Sequence, residues 1–373
     1  MSRLELVQLQ SPQQVRAAAG AWDRLWQRSS LSSSLFRAEM TAQWLEQFAA
    51  AARIHVLAVA RDGEFLAVLP LAGRRVHRIL PVGDLPIDCW SPSGELLLDD
   101  GPEQADVLDV LMGGLCGVPW PLLWLDTIPY LEPRWQAFLA AALRRGLPTQ
   151  VRPRYQIGQV ELDAGAAGYE ARWSKNHRRN LRKDERRLQG LGPLRLVVHR
   201  QFSGELPAEL LRRGLEIEDR SWKGAEGCSV LRMPGMFDFF LRQARQLAAW
   251  GSLRLAFLEH DGRPIAFEYG WQAKGVYYSY KVGYDPEFAA YGPGHLLRLY
   301  LLRALAEEQG MRLVDFHGPL TEALACWATR SYVIGRVIVA PPRIGSRLLL
   351  AAVTAARGLA RKGIRDWGSG NGG

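Results

Sequence analysis

The chain has 373 residues, of which 48% are hydrophobic and 23% charged, an ordinary globular balance in a chain too long for one hydrophobic core. Its net charge of +9 is local: Arg172 to Arg187 hold eight Lys or Arg against two acids, which excludes a globally polycationic surface. Cys89, Cys116, Cys228 and Cys326 form no C-x-x-C pair, which argues against a zinc site or a disulfide framework, so no metal is implied and a reducing compartment fits. The N-terminus has no apolar segment of signal-peptide length, and no run approaches ~18 uninterrupted apolar residues. A cytoplasmic location is expected, with the inner face of the membrane as a place of contact.

In chain order, Val15, Trp22, Leu25 and Trp26 recur at helical spacing, and a second helix is expected from about 38 to 51. IHVLAVA and FLAVLPLAGRRV flank Asp62-Gly63, a hairpin signal. After a Pro/Gly/Ser-rich loop over 81–94 come a helix near 104–114, the strand LLWLDTI and a helix over 133–145, with 156–162 as this unit's edge strand. The second half begins with a basic helix over 174–189, stopped by Gly190. A strand over 194–200 and helices near 208–222 and 236–250 follow. SLRLAFLEHDGRPIAFEYGWQ and GVYYSYKVGYD then read as three strands around a second D-G turn. A Gly-rich turn opens a long amphipathic helix, and a strand over 312–318 and a helix near 321–330 close the half. Both halves share one order, which points to a duplicated α/β (α+β) module. The expected domains are 1–165, 166–340 and a basic tail over 341–373 that is helical first and disordered at WGSGNGG.

The segment VYYSYKVGYDPEFAAYGPGHLLRLYLLRAL concentrates the chemistry. Gly292-Pro293-Gly294 directly before a helix lets backbone N–H groups approach an anion such as a pyrophosphate, and the helix dipole favours negative charge there. An N-capping turn without a ligand explains the same residues equally well. A strand ending in a bulge, then Y-x-x-x-x-x-x-x-G-x-G-x-L-L on a helix, resembles the acetyl-CoA-binding motif of the GNAT acetyltransferases. With VLAVARDGEFLAVLPL, WSKNHRRNLRKDERRLQGLG, EIEDRSWKGAEG, LRLAFLEHDGRPIAFEYGW and VDFHG in order, about residues 20–330 resemble the acetyltransferase-like family linked to cellulose or exopolysaccharide biosynthesis. That family is related to the Fem-type aminoacyltransferases. The resemblance implies two GNAT-like domains, each a curved, mostly antiparallel mixed sheet flanked by helices. The first is non-catalytic or acceptor-binding, and the second holds acetyl-CoA or another acyl-CoA. One position departs: where the family carries a lysine three residues before a Trp, this chain has Leu324 before Trp327.

Direct acyl transfer needs a positioned thioester, a base for the attacking O–H or N–H, and donors for the developing oxyanion. Backbone groups of Tyr280, Lys281 and Val282 would meet the thioester end, and those of Gly292, Gly294, His295 and Leu296 the phosphates. Glu268, Asp315 and His317 are the candidates for the base, His317 having the best intrinsic pKa, with Asp315 to orient it. A backbone-bonded strand-end histidine, a capping aspartate and a solvated glutamate are the bland readings of the same three. Asp219, Trp222 and Lys223 in EDRSWKG form a candidate acceptor site, and Arg178 and Arg182 an anion-facing pair; a helix-end salt bridge fits EDR equally. Partners follow: a small-molecule or glycan acceptor, with contact to a membrane or a polysaccharide-synthesis complex, and no DNA. Charged tRNA enters only under a Fem-like aminoacyl transfer; an inactive GNAT-like scaffold is the third reading.

Overall fold

The computed structural model describes residues 3–202 and 208–355. The chain divides into two compact units, 1–31 with 35–154 and 333–373, and 32–34 with 155–332. The ends of the chain, including WGSGNGG, lie outside the described residues.

Unit 1 opens with β1 (Glu5–Leu9), α1 (Pro12–Ala17), α2 (Ala19–Arg28) and α3 (Ala38–Phe48). Ser11 caps α1 by accepting from the Gln14 N–H, and Pro12 occupies its first turn, where a missing N–H costs nothing. β2 (Val56–Arg61) and β3 (Glu64–Leu69) form the expected hairpin. Asp62 and Gly63 both have positive φ, 51° and 78°, the requirement of the turn that matches strand twist. β1 pairs with β2, and β6 (Leu97–Leu98) with β3. A second sheet holds β4 (Ala72–Val76), β5 (Leu80–Asp84) and β7 (Leu123–Ile128), β5 and β7 being parallel and joined through α4 (Gln104–Cys116). α5 (Pro133–Arg144) follows, and Trp135 and Phe138 from it pack into a core with Leu57, Leu111 and Leu125. β1 and the separate strands β4 and β5 were not expected.

β8 (Thr149–Glu161) starts in unit 1 and ends in unit 2. Unit 2 then runs α6 (Gly165–Ala171), α7 (Lys175–Gln189), β9 (Leu194–His199), α8 (Ala208–Arg220), α9 (Trp222–Ala225) and α10 (Met236–Ala249). β10 (Leu253–His260), β11 (Arg263–Ala273) and β12 (Val276–Tyr284) form an antiparallel meander with β9 beside β10. Its D-G turn repeats the geometry of the first, with Asp261 at φ 50° and Gly262 at 76°. After α11 (Pro293–Glu307), β13 (Leu313–Pro319) pairs parallel with β12 and antiparallel with residues 157–161 of β8. So 156–162, expected as the edge of the first unit, belongs to the second. The expected closing helix is only α12 (Glu322–Ala325) and is followed by β14 (Arg330–Val339), which pairs with β7 in unit 1. Residues 333–340 therefore lie with unit 1, the division falling at 154/155 and 332/333 rather than at 165 and 340. The alternating, β-branched run SYVIGRVIV explains a strand there. A helix over 344–355 covers Val76, Trp124 and Ile338 with Leu349, Leu350 and Val353. The fold class is as expected: mixed sheets flanked by helices in two units of one plan, hairpin, then strand, helix and parallel strand.

Candidate functional site

In unit 2 the parallel pairing of β12 and β13 covers only Val276 to Tyr278 against Leu313 to Asp315. Beyond that pair the strands part. Opposite β11 the register of β12 slips between Ser279 and Lys281, leaving Tyr280 as the extra residue of a bulge, which re-aims its side chain. His317 stands where β13 leaves β12. Its ring is edge-on to Trp271, Tyr278 and Tyr280, at centroid distances of 5.3, 5.5 and 5.7 Å. Both its nitrogens are buried and have no hydrogen-bond partner among the described residues. Burial lowers its pKa to about 4, so the imidazole is neutral at neutral pH. Its φ of 53° is a left-handed conformation rare for a residue with a Cβ. Backbone strain of this kind gathers at functional sites.

Asp315 does not orient the imidazole. Its Oδ1 accepts from the His317 main-chain N–H (2.8 Å) and its Oδ2 from the Gln159 side chain (2.8 Å). Burial raises its pKa, against bonds from Gln159, the His317 N–H and Tyr332. It fixes the bend that carries His317. Glu268, expected to border the cleft, is instead 1% exposed. It accepts from Tyr277 Oη at 2.9 Å, and burial pushes its carboxyl up, opposed by Arg298, Ser279 and Tyr277. The segment 32–34 braces this wall: Ser33 Oγ accepts from Trp271 Nε1 (3.1 Å) and Ser32 Oγ bonds Tyr278 Oη (2.6 Å).

At the phosphate end expected from the sequence, Gly292 caps α11 in the left-handed conformation (φ 58°), with Pro293 in the first turn. The main-chain N–H groups of His295 and Leu296 already donate to Gly292 O at 2.9 and 3.0 Å. Of the four proposed contacts, only the Gly294 N–H has no acceptor among the described residues. A Cβ on Gly292 would lie 3.4 Å from Asp184 Oδ2, so a carboxylate flanks this terminus. The His295 ring stacks on Trp327 (5.9 Å, 13°). Trp327 also meets Trp173 (5.0 Å) and His177 (4.7 Å). Tyr169 Oη, Trp173 Nε1, His177 Nε2, Arg298 Nε and Trp327 Nε1 are all buried without a partner among the described residues, a second concentration of unspent polar groups. Leu324 packs against the core.

The acceptor site proposed around EDRSWKG is mostly internal structure. Lys223 Nζ donates to Glu218 Oε1 (2.8 Å) and Val282 O (3.0 Å), pinning the end of α8 to β12. Asp219 accepts from Arg232 Nε (2.9 Å) and Ser229 Oγ (2.5 Å), and Arg232 first and then Ser229 hold its carboxyl below the usual range. The Trp222 side chain lies outside the described residues.

α7 is capped at Ser174, whose side chain accepts from the His177 N–H, and it ends at Gly190 as the sequence indicated. Leu181 and Leu188 are buried. Glu185 accepts from Tyr300 Oη on α11, and Arg187 donates to Ala290 O. Lys175, Arg178, Arg179, Arg182, Lys183 and Arg186 line a groove of about 530 Å³ on the other side of α7. None of the six has an ion-pair partner among the described residues. The α7 side chain beside Gly292 is Asp184, not one of these six. Arg178→Glu with Arg182→Glu is expected to leave the melting temperature unchanged or slightly raised, because it removes like-charge pairs each worth about 0.2–0.5 kcal/mol. Salt-sensitive binding to an anionic surface or polyanion should fall; unchanged binding to both would make α7 a strut only.

Sequence spacing did not single out Arg298, Trp271 or His177. A lone arginine within LLRLYLL was the available signal for Arg298.

Residues 175–323 match the acetyltransferase (GNAT) domain family. The GNAT match thus covers α7, the meander, the parting of β12 from β13 and His317. Among solved structures, FemX aligns with a TM-score of 0.60 at 12% identity, over 90% of this chain and 96% of its own. The C-terminal domain of a protein named as a lysylphosphatidylglycerol synthetase from Agrobacterium fabrum aligns at 0.53 and 13%, over 91% and 96%. L-PGS from Bacillus licheniformis aligns at 0.52 and 14%, also over 91% and 96%. At such identities the likeness concerns fold. A search of curated proteins returns no match. Among the described residues, no helix is long and apolar enough to cross a membrane.

Proposed function

We propose that this chain is an acyl-CoA-dependent acyltransferase, with acetyl-CoA as donor, acting on a hydroxyl or amine of a cell-envelope polysaccharide or its precursor. The observation that carries the reading is His317: neutral, strained, without a partner for either nitrogen among the described residues, and set where β12 and β13 separate beside the Tyr280 bulge. A bound acyl-CoA would supply an activated thioester carbonyl. The residues present suit it best at the thioester end, through the bulge and the neutral imidazole. At the phosphate end they offer the Gly294 N–H and the α11 dipole. In this reading His317 takes the proton from the attacking O–H or N–H. Asp315 and Gln159 hold the backbone that aims it, and Trp271 and Tyr278 exclude water.

Acetyl-CoA is expected to raise the melting temperature of the full chain, and Gly294→Glu to abolish that shift by setting a charge against the phosphates. A Cβ on Gly294 would come no closer than 3.4 Å to Tyr284, so the fold tolerates a side chain there. No shift with any acyl-CoA would count against the proposal.

Specific features favour a second reading, aminoacyl transfer from a charged tRNA, the activity class of Fem-type enzymes. The carboxylate beside Gly292 and the spent His295 N–H thin the phosphate cradle, while six cations on α7 with no ion-pair partner among the described residues suit a nucleic-acid backbone. Salt-sensitive tRNA binding without an acyl-CoA response would select it. CoA binding without turnover on any acceptor would select an inactive scaffold.

A further inference from the structure

We infer that unit 1 carries a binding site of its own for a small molecule bearing a diphosphate group. Its place is a groove of about 710 Å³ lined by Arg74, Arg75, Arg152, Arg154, Arg336 and His77. That volume is typical of a small-molecule site and exceeds what a diphosphate needs, leaving room for the group it is attached to.

The groove is built. Asp126 Oδ1 accepts from Arg154 Nη1 and its Oδ2 from Arg336 Nη2, both at 2.5 Å, so one carboxylate fixes two guanidinium groups side by side. Trp124 lies under Arg336, 4.7 Å from ring centroid to guanidinium carbon. Arg74 Nε donates to Asp84 Oδ2 at 2.5 Å, and Asp84 Oδ1 also accepts from the Asp126 N–H at 3.0 Å. Five guanidinium groups thus face two carboxylates, an excess of three positive charges around one groove. A diphosphate ester carries about two to three negative charges near neutral pH, and arginine forks bind phosphate oxygens in pairs.

The backbone supports the same place. Seven described non-glycine residues have positive φ. Asp62, Asp261 and Lys274 each precede a glycine in a tight hairpin turn, His77 and Arg78 form the tight turn between β4 and β5, and His317 belongs to unit 2. The remaining one, Thr127 (57°), directly follows Asp126, which lines the groove, and His77 (51°) lines it from its turn. Thr127 is β-branched and lies in the slip of the β7–β14 register, between Leu125↔Val337 and Ile128↔Gly335. That slip directs Asp126 at its two arginines. A strained β-branched residue next to the carboxylate that aligns two guanidinium groups suits a ligand clamp.

The test is titration calorimetry of the full chain with inorganic pyrophosphate, ADP and citrate. One pyrophosphate site per chain is expected, with ADP at least as tight and citrate weaker. Arg75→Ala with Arg154→Ala should weaken pyrophosphate about tenfold. Arg75→Ala alone, at an exposed residue with no ion pair among the described residues, should weaken it measurably in a fold left intact. Lys183→Ala with Arg186→Ala on α7 should change nothing. The inference is overturned if pyrophosphate does not bind, if the α7 pair weakens it equally, or if citrate binds more tightly than pyrophosphate. Because Gly294→Glu leaves this groove untouched, pyrophosphate binding that survives it separates this site from any nucleotide site in unit 2.

Discussion

Glu268→Leu is expected to destabilise unit 2 by about 3 kcal/mol, from the loss of a buried acceptor and of the carboxylate near the enclosed Arg298 guanidinium. Tyr277, itself fully buried, donates to that carboxyl, and Arg298 Nε, also buried, has no hydrogen-bond acceptor among the described residues. Burial raises the carboxyl's pKa and lowers the guanidinium's, and each group's charge opposes the other's shift. Arg298→Met in the Glu268→Leu background should recover part of the loss, giving a coupling energy of about 1 kcal/mol or more in a urea-denaturation cycle. Additive effects would mean that Arg298 is held by its stacking on Phe316 and Trp327 instead. Glu268→Gln separates structure from chemistry. It keeps acceptors for Tyr277, and since Glu268 is sealed from the cleft, turnover should stay within a few-fold of the parent. A collapse in kcat would return Glu268 to the role of base.

His317→Gln is expected to lower kcat by a factor of about 10²–10⁴ at neutral pH while the acetyl-CoA melting shift persists, the signature of a lost proton acceptor rather than a lost binding site. Its depressed pKa adds two pH readouts. The rate limb assigned to this group should fall near pH 4, the ordinary midpoint of 6.5 being displaced by burial. Stability should also depend on it. The unfolded chain takes up a proton at His317 near 6.5 but the folded chain only near 4, so folding loses stability as pH falls through that window, by about 3 kcal/mol in full. His317→Leu should flatten that part of a pH series of urea midpoints. If neither the rate nor the pH series responds, His317 is a strained strand end and the base lies elsewhere.

Local chemistry made much of the fold readable. Two D-G turns announced two hairpins, Ser174 and Gly190 bounded α7, and Gly292-Pro293 opened α11. What stayed hidden depends on non-local pairing. Nothing within 156–162 or 333–339 says which unit supplies its neighbours, and the sequence alone placed both on the wrong side. The site shows the same limit. His317 was legible as a histidine at a strand end, but its empty nitrogens and aromatic walls come from residues up to 46 positions away, such as Trp271. Glu268 and Lys223 looked available because their residue types are reactive, and each is consumed by a partner that spacing does not reveal.

The return of residues 333–339 to unit 1 also sets an order of events during synthesis. The first 154 residues leave the ribosome without the strand that pairs with β7, and about 180 further residues must be made before it arrives. Until then the β7 edge, rich in Leu and Trp, has open hydrogen-bonding groups. The unit that begins first is therefore the one that finishes last, and its exposure in the cell is governed by the rate of translation as well as by its own stability.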